Sequence, residues 1–331
     1  MTPSEMDTVD KTLLNILQSK FPLTQRPYQK IGEALGISEA EVLERVRRLK
    51  GERVIRQTGA IFDTRALGYK SSLVAMKVAP EKTSTAAGVI NEHPGVSHNY
   101  ERNHPYNLWF TLAVPPNQSI EETAADLAAR SGAESYRILP TIKFFKIGVK
   151  FDMLAEEGAS EEAATVKRPA GGNGQGPGEF DIKVIRELQE DLPVEERPFQ
   201  GMAQRLGVSE KGLLDKAIEF IEKGYMRRFG AVLHHRKAGF KANAMAVWVV
   251  APERAEEVGE VLASSTAVSH CYQRPTFPDW PYSHFSMIHG TTREQCEEAA
   301  KGLSTKTGVK DYMMLYSTRE FKKTRVKYFA E

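Results

Sequence analysis

The stretch VSHNYER, residues 96–102, recurs in the same chain as VSHCYQR, residues 268–274. The two halves of the chain also match on both sides of these stretches. Matching residues are 171 positions apart on the N-terminal side and 176 positions apart on the C-terminal side. The matched residues include Asp10 and Asp181, Arg26-Pro27 and Arg197-Pro198, Gly59-Ala60 and Gly230-Ala231, and Pro105-Tyr106 and Pro281-Tyr282. This agreement predicts two copies of one module, joined end to end.

Size and composition set the class of protein. The 331 residues suffice for two modules that each bury a core. No apolar run reaches the length of a membrane span and the first residues lack the features of a signal peptide, so we expect a soluble, cytoplasmic protein with no membrane partner. Cys271 and Cys296 form no zinc or iron–sulfur motif. The net charge of +2 neither requires nor excludes an anionic partner.

The first fifty or so residues of each copy predict three helices. Val9, Leu13 and Leu17 recur at helical spacing, and a second helix is expected to begin near Pro27. A third helix is expected to begin after Ser38, whose hydroxyl can cap it. The tight turn at 34–38 between the second and third helices indicates a helix-turn-helix head.

After the head the hydrophobic period changes to that of alternating strands and helices. Strands are expected at 71–79, 96–102, 106–114 and 134–141, with helices at 83–92 and 121–130. The order β-α-β-β-α-β is typical of a ferredoxin-like body with an antiparallel sheet. The predicted fold is therefore α+β, a tandem repeat of a helix-turn-helix (winged-helix-like) head and a ferredoxin-like body.

The domain boundaries follow from the repeat and from one polar segment. Residues 153–179 are rich in Gly, Ala and Glu and predict a flexible linker. The expected division is a head at 1–60, a body at 61–152, the linker, a second head at 180–230 and a second body at 231–331.

The architecture resembles the Lrp/AsnC family, in which a DNA-binding head precedes a ligand-sensing body. More specific stretches are similar to the siroheme decarboxylase family. These stretches are 21–28 with its counterpart 192–199, then 230–236, 271–278, Pro281-Tyr282 and 287–290. The resemblance implies removal of two acetate carboxyl groups (the C12 and C18 arms) from siroheme, giving didecarboxysiroheme in heme or d-type heme biosynthesis. The alternatives are a ligand-sensing transcriptional regulator and a heme carrier.

The third helices do not favour DNA reading. Glu39 and Glu41 stand where the first copy should face the groove, and carboxylates repel phosphates. The second copy has no Arg, Asn or Gln at the corresponding positions, 210–215. A basic cluster, Arg45, Arg47, Arg48 and Lys50, suits a solvated helix face at least as well. We therefore expect no specific DNA binding.

The recurring stretch carries the candidate catalytic residues. Because alternate side chains of a strand share a face, Val268, His270, Tyr272 and Arg274 are expected to line one side of a strand, as are Val96, His98, Tyr100 and Arg102 in the first copy. Decarboxylation of siroheme needs donors for eight carboxylates and a general acid, for which Arg and then His or Tyr are suited. The predicted catalytic residues are His270, Tyr272 and Arg274.

The remaining candidates are expected to bind substrate. The set is His98, Tyr100, Arg102, His104, His234, His235, His284 and Trp280. Trp280 belongs to a predicted apolar wall with Phe277, Tyr282 and Phe285. At most one of the adjacent His234 and His235 should reach a pocket. For Arg26 and Arg197, loop packing is the favoured role.

Partners and cofactors complete the expectations. We expect no metal site and no cofactor beyond the siroheme substrate, whose iron could take an axial imidazole that the sequence does not identify. A homodimer of the fused chain is also expected, because the polar sheet faces need a cover.

Overall fold

The computed structural model describes residues 6–146, 150–151, 160–161, 176–233 and 242–330. The first head consists of helices α1 (Thr8–Ser19), α2 (Pro27–Leu35) and α3 (Glu39–Gly51), followed by strand β1 (Ile55–Phe62). Ser38 caps α3 as expected, because its hydroxyl accepts a hydrogen bond from the Glu41 amide at 3.2 Å.

The second head repeats the first and pairs with it. Its elements are α6 (Glu179–Leu188), α7 (Gln200–Leu206), α8 (Glu210–Glu222) and β9 (Met226–Leu233). Strands β1 and β9 form an antiparallel ribbon, and one hydrophobic core extends through both heads. A Cβ atom on Gly59 would lie 2.7 Å from the Glu190 carbonyl, and one on Gly230 would lie 2.5 Å from the Leu17 carbonyl. The repeated glycines therefore let each strand contact the first helix of the other head.

Each body has the expected β-α-β-β-α-β order. The first contains β2 (Lys70–Lys77), α4 (Thr83–Glu92), β3 (Val96–Arg102), β4 (Leu108–Val114), α5 (Ile120–Ser131) and β5 (Ser135–Leu139). The second contains β10 (Ala242–Trp248), α9 (Ala255–Ser264), β11 (Val268–Gln273), β12 (His284–Gly290), α10 (Arg293–Thr307) and β13 (Tyr312–Lys323). The tandem α+β fold predicted from the sequence is confirmed.

The two bodies exchange their last strands. Strand β6 (Lys143–Lys146) follows β5 in the chain but pairs with β11 of the second body. The second half of β13 pairs with β3 of the first body, while its first half pairs with β10. The result is one nine-stranded sheet in the order β5-β2-β4-β3-β13-β10-β12-β11-β6.

The sheet curls back on itself. Its two edges, β5 and β6, are joined by only residues 140–142, so Leu139 and Lys143 lie within about 15 Å of each other. The helices cover one side of each body. The opposite sides enclose a shared core that contains Trp109 and Leu139 from the first body and Val247, Phe285 and Leu315 from the second. We call this shared region the inner core.

Two short elements fall near the predicted linker: Lys150–Phe151 (β7) pairs with Ser160–Glu161 (β8). Within the described ranges, no helix combines the length and apolar composition that crossing a bilayer requires.

Candidate functional site

Each recurring stretch places three polar side chains on the inner side of its strand. We call His98, Tyr100 and Arg102 the first polar face, and His270, Tyr272 and Arg274 the second polar face. The register of the strand shifts between Val96 and His98, and likewise between Val268 and His270. These bulges reverse the alternation, so both valines pack under the helices. The expectation that Val96 and Val268 share the polar faces was therefore wrong.

The arginines of the two faces join the bodies reciprocally. The Arg102 guanidinium donates to the Leu315 carbonyl at 3.0 Å, and Arg274 donates to the Leu139 carbonyl. Leu139 and Leu315 occupy equivalent positions of the repeat. Each arginine thus contacts the last strand of the other body's β-α-β-β-α-β unit, and each polar face is completed by the other body.

Both guanidinium groups are buried, and neither forms an ion pair with a carboxylate of the described residues. Arg102 is 8% exposed and Arg274 is 9% exposed, and in each the Nε atom is buried without an acceptor among the described residues. Burial lowers the pKa of both side chains to about 10. A buried cation without a counter-ion costs free energy. The two sites are therefore suited to receive an anion.

The second polar face contains an imidazole pair that the first lacks. The Ser269 hydroxyl lies 2.8 Å from His270 Nδ1 and 2.6 Å from His289 Nε2. In the first copy Ser97 lies 3.0 Å from His98 Nδ1, but Ala113 stands where the second copy has His289. His289 was not among the predicted site residues. The indication in the sequence was that the second copy has His289 where the first copy has Ala113.

The tyrosines also differ in their surroundings. Phe144 of β6 packs edge-on against Tyr272, with ring centres 5.4 Å apart, and the Arg65 guanidinium lies over the Phe144 ring. Burial raises the pKa of Tyr272 to about 12, so its hydroxyl is protonated at neutral pH. Tyr100 instead has Glu320 opposite it in the ladder. Tyr272 therefore has an apolar partner across the ladder, whereas Tyr100 has a charged one.

His104 and Trp280 lie together at the inner core. Trp280 is 1% exposed and its ring is 5.2 Å from both the His104 ring and the Trp109 ring. The Tyr106 amide donates to His104 Nδ1 at 3.0 Å, and burial lowers the pKa of His104. Phe277 and Tyr282 pack against the same core, which also contains Phe285. The four aromatic side chains predicted to form an apolar wall thus pack together around Trp280, and their contact with a substrate remains a prediction.

His284 lies away from these residues. It is fully buried on the helix side of β12, where its Nε2 bonds the Ala255 carbonyl at 2.9 Å and its Nδ1 bonds the Ser283 hydroxyl at 3.0 Å. Both ring nitrogens are therefore satisfied by protein atoms, and the placement favours a structural role over the expected substrate contact. His234 and His235 lie outside the described residues.

We expect the substrate-free protein to lose stability as the pH falls from 7.5 to 5.5, and His284→Gln to reduce this loss. Burial lowers the pKa of His284 below its ordinary value of 6.5. The unfolded chain therefore takes up a proton first, and the stability that the neutral ring contributes is lost below about pH 6.5, by at most about 1.4 kcal/mol per pH unit. Thermal melts across this range would measure the effect, and an identical pH slope in both proteins would contradict it.

The arginines of the repeated loop in each head, Arg26 and Arg197, form ion pairs. Arg26 pairs with Glu39, and Arg197 pairs with Glu210 at 2.5 Å, so these equivalent residues connect the loop before the second helix with the start of the third. In the basic cluster of α3, Arg45 binds Asp7, Asp10 and Glu41, Arg48 binds Asp10, and Lys50 binds Asp191. Arg47 donates to the Val194 carbonyl. Most of this basic charge is thus compensated by carboxylates within the heads.

Two clefts lie beside the loop that follows β11. One of 580 Å³ is lined by residues 273–278, Ile142 and Pro252, among others, and the other, of 790 Å³, lies against α5 and β5. Arg274 of the second polar face lines the first of these clefts, whereas His270 and Tyr272 line neither. In the described part of the chain, no group of three His, Cys, Asp or Glu side chains is placed to hold a metal ion.

Comparison with known proteins decides the family. The chain is 41% identical to the siroheme decarboxylase of Hydrogenobacter thermophilus over 324 residues, covering 96% of this chain and 94% of that protein. The chain belongs to the siroheme decarboxylase family. A siroheme decarboxylase NirDL subunit of Paracoccus pantotrophus is 31% identical over 96% of both chains.

Structures and family descriptions agree with this membership. A crystal structure of the siroheme decarboxylase NirDL in complex with an iron-uroporphyrin III analogue has a TM-score of 0.76 and 35% identity, covering 98% of this chain and 95% of that one. The siroheme decarboxylase NirDL-like HTH domain matches residues 10–56 and 181–227. The AsnC-like ligand binding domain matches 66–146 and 237–322.

Proposed function

We propose that this chain, a carboxy-lyase, removes the acetate carboxyl groups of the C12 and C18 arms of siroheme and releases didecarboxysiroheme for heme or d-type heme synthesis. The observation that carries the proposal is a pair of buried arginines, Arg102 and Arg274, that have no carboxylate partner within the described ranges. A carboxylate of the substrate would supply the missing charge, and the planar guanidinium can bind it with two parallel hydrogen bonds.

The reaction divides between the macrocycle and the protein. The bond between the carboxylate and the methylene carbon breaks, carbon dioxide leaves, and the electron pair is delocalised into the conjugated ring. A proton then adds to the methylene carbon and produces a methyl group. We assign this proton to His270 or Tyr272, which lie on one face with ring centres 6.0 Å apart. The apolar surroundings of Tyr272 would favour loss of the charged carboxylate as neutral carbon dioxide.

The other predicted site residues have supporting roles in this proposal. His98, Tyr100, Arg102, His104 and Trp280 would contact the substrate, and we propose no cofactor besides siroheme. The decisive experiment is anaerobic incubation of the purified protein with siroheme, followed by mass spectrometry. Loss of two carbon dioxide units is expected. An unchanged tetrapyrrole that stays bound would instead indicate a carrier or a sensor.

We expect no sequence-specific DNA binding at physiological salt. The acidic residues at the start of both third helices, Glu39 and Glu210, are held by Arg26 and Arg197. Arg45 and Arg48 of α3 are paired with Asp7, Asp10 and Glu41, so this helix has little basic charge left for phosphates. A gel-shift assay against genomic fragments measures DNA binding. A salt-resistant, sequence-selective complex would support the alternative function as a transcriptional regulator.

A homodimer of the fused chain is a further expectation. The polar faces do not require a second chain to cover them, because each is covered by the other body of the same chain. The related Lrp/AsnC architecture remains as support for association through the bodies. Light scattering should give twice the chain mass of 37.0 kDa, and a mass of one chain would contradict the dimer. A cytoplasmic location likewise remains a prediction.

A further inference from the structure

Three arginine side chains meet where the heads contact the first body. Arg56 comes from β1, Arg228 from β9, and Arg325 from the segment after β13. All of their hydrogen bonds in the described residues go to backbone carbonyls. Arg56 donates to Lys323, Arg228 to Gln18 and Ala231, and Arg325 to Ala60.

The charge of this cluster is not balanced by the described part of the chain. Arg56, Arg228 and Arg325 form no ion pair there, and the Nη2 atom of Arg325 is buried without an acceptor. The nearby Asp191 carboxylate is already occupied by the Thr58 amide at 2.9 Å and by Lys50 at 2.7 Å. Burial, together with the positive charges of Arg228 and Arg56, lowers the pKa of Arg325 to about 10.

The repeat shows that the fold does not require this charge. At the position equivalent to Arg228 the other copy has Gln57, whose amide donates to the Gln189 carbonyl at 2.8 Å. This is the counterpart of the bond from Arg228 to Gln18, so a neutral side chain suffices for the contact between ribbon and helix. The counterpart of Arg56 is Arg227, which forms an ion pair with Asp63 at 2.8 Å. In the part of the chain that the structure describes, the uncompensated cluster therefore occurs once.

The cluster adjoins the first polar face. Lys323 pairs with His98 in the ladder, and the Thr324 amide donates to the Ser97 carbonyl at 2.7 Å. Arg325 therefore follows directly on the residues that line the end of β3. All three arginines are half-buried, which leaves part of each side chain accessible to a ligand.

We propose that Arg56, Arg228 and Arg325 form an anion-binding site for a carboxylate group of the tetrapyrrole substrate. The inference rests on the proposed function and extends it, because it assigns substrate anchoring to the boundary between the heads and the first body. Siroheme has eight carboxylates, more than Arg102 and Arg274 can bind, and guanidinium groups bind carboxylates with charge-assisted hydrogen bonds.

The test compares Arg228→Gln and Arg325→Gln with the control Arg227→Gln. Arg228→Gln reproduces the glutamine of the other copy and should keep the contact with α1. Anaerobic absorbance titrations would give Kd for iron uroporphyrin III, which has eight carboxylates, and for iron protoporphyrin IX, which has two. We expect each test variant to bind the first ligand about tenfold more weakly, with a smaller change for the second. With siroheme, KM should rise more than kcat falls. The control Arg227→Gln should have the Kd values and the kinetic constants of the wild type.

Several outcomes would overturn the inference. One is an unchanged Kd for iron uroporphyrin III in the folded variants, and another is an equal loss for both ligands, which would indicate packing. If inorganic phosphate raises the Tm of the wild type but not of Arg325→Gln, while the porphyrin Kd stays unchanged, the cluster binds a free anion instead. Should Arg325→Gln not fold, Arg228→Gln decides. If the wild type binds iron uroporphyrin III more tightly than the variants but does not decarboxylate siroheme, the proposed function is refuted and the anion-binding site is not.

Discussion

Replacing His270 with alanine should lower the rate of siroheme decarboxylation about a hundredfold to ten-thousandfold, the usual contribution of a general acid. His98→Ala should lower the rate much less and still bind siroheme. The reason is the asymmetry of the polar faces, because only His270 is linked through Ser269 to a second imidazole, that of His289. In the first copy Ala113 replaces this imidazole.

Single-turnover kinetics under anaerobic conditions, with both carbon dioxide losses followed by mass spectrometry, would measure this difference. His289→Ala is the informative companion and should give an intermediate rate. Equal losses in His270→Ala and His98→Ala would show that the two copies contribute symmetrically. A normal rate in His270→Ala would exclude this residue from proton transfer.

Replacing Arg274 with methionine should weaken turnover about a hundredfold and at the same time stabilise the substrate-free protein. The first effect follows because truncating one partner of a buried charge pair typically costs 2 to 5 kcal/mol, here in the complex with a substrate carboxylate. The second follows because the guanidinium is buried without a counter-ion among the described residues, and an apolar side chain avoids the free-energy cost of a buried, unpaired charge.

Arg102→Met is the matched control, since Arg102 has the same burial and the same type of carbonyl partner. It should increase the unfolding free energy similarly but reduce turnover less. Urea unfolding and steady-state kinetics on both variants would separate the two effects. A large loss of stability in both variants would show that the arginines hold the two bodies together and are not kept for substrate.

Much of the fold could be predicted because it depends on local pattern. Strand β3 and helix α4 have the predicted bounds, since alternation and helical spacing are properties of adjacent residues. The bulges after Val96 and Val268 were missed because a register shift depends on the partner strand. His284 was grouped with the site because it lies near the second recurring stretch in the sequence and because Leu108 replaces it in the first copy, whereas the strand turns its side chain toward α9.

The exchange of strands could not be predicted from either copy alone. Pro140 separates β5 from β6, whereas Tyr316, at the equivalent position, lets β13 continue without a break. The same segment therefore looks like two strands in one copy and one in the other. The equivalence of β6 and the second half of β13 becomes visible only in the structure, because each of them pairs with a strand of the other body. His289 likewise joins the second polar face through a neighbouring strand, twenty residues from Ser269.

The exchanged strands also affect how the protein folds while it is being synthesised on the ribosome. Strand β3 is synthesised early, but its partner in β13 follows about 220 residues later, roughly 10 to 45 s at ordinary rates of translation. During that interval the nascent first body presents an unpaired strand edge, the feature through which partly folded proteins associate wrongly. Correct assembly therefore depends on residues 317–323, which are synthesised long after β3, and a chain truncated before residue 317 should be prone to aggregation during synthesis.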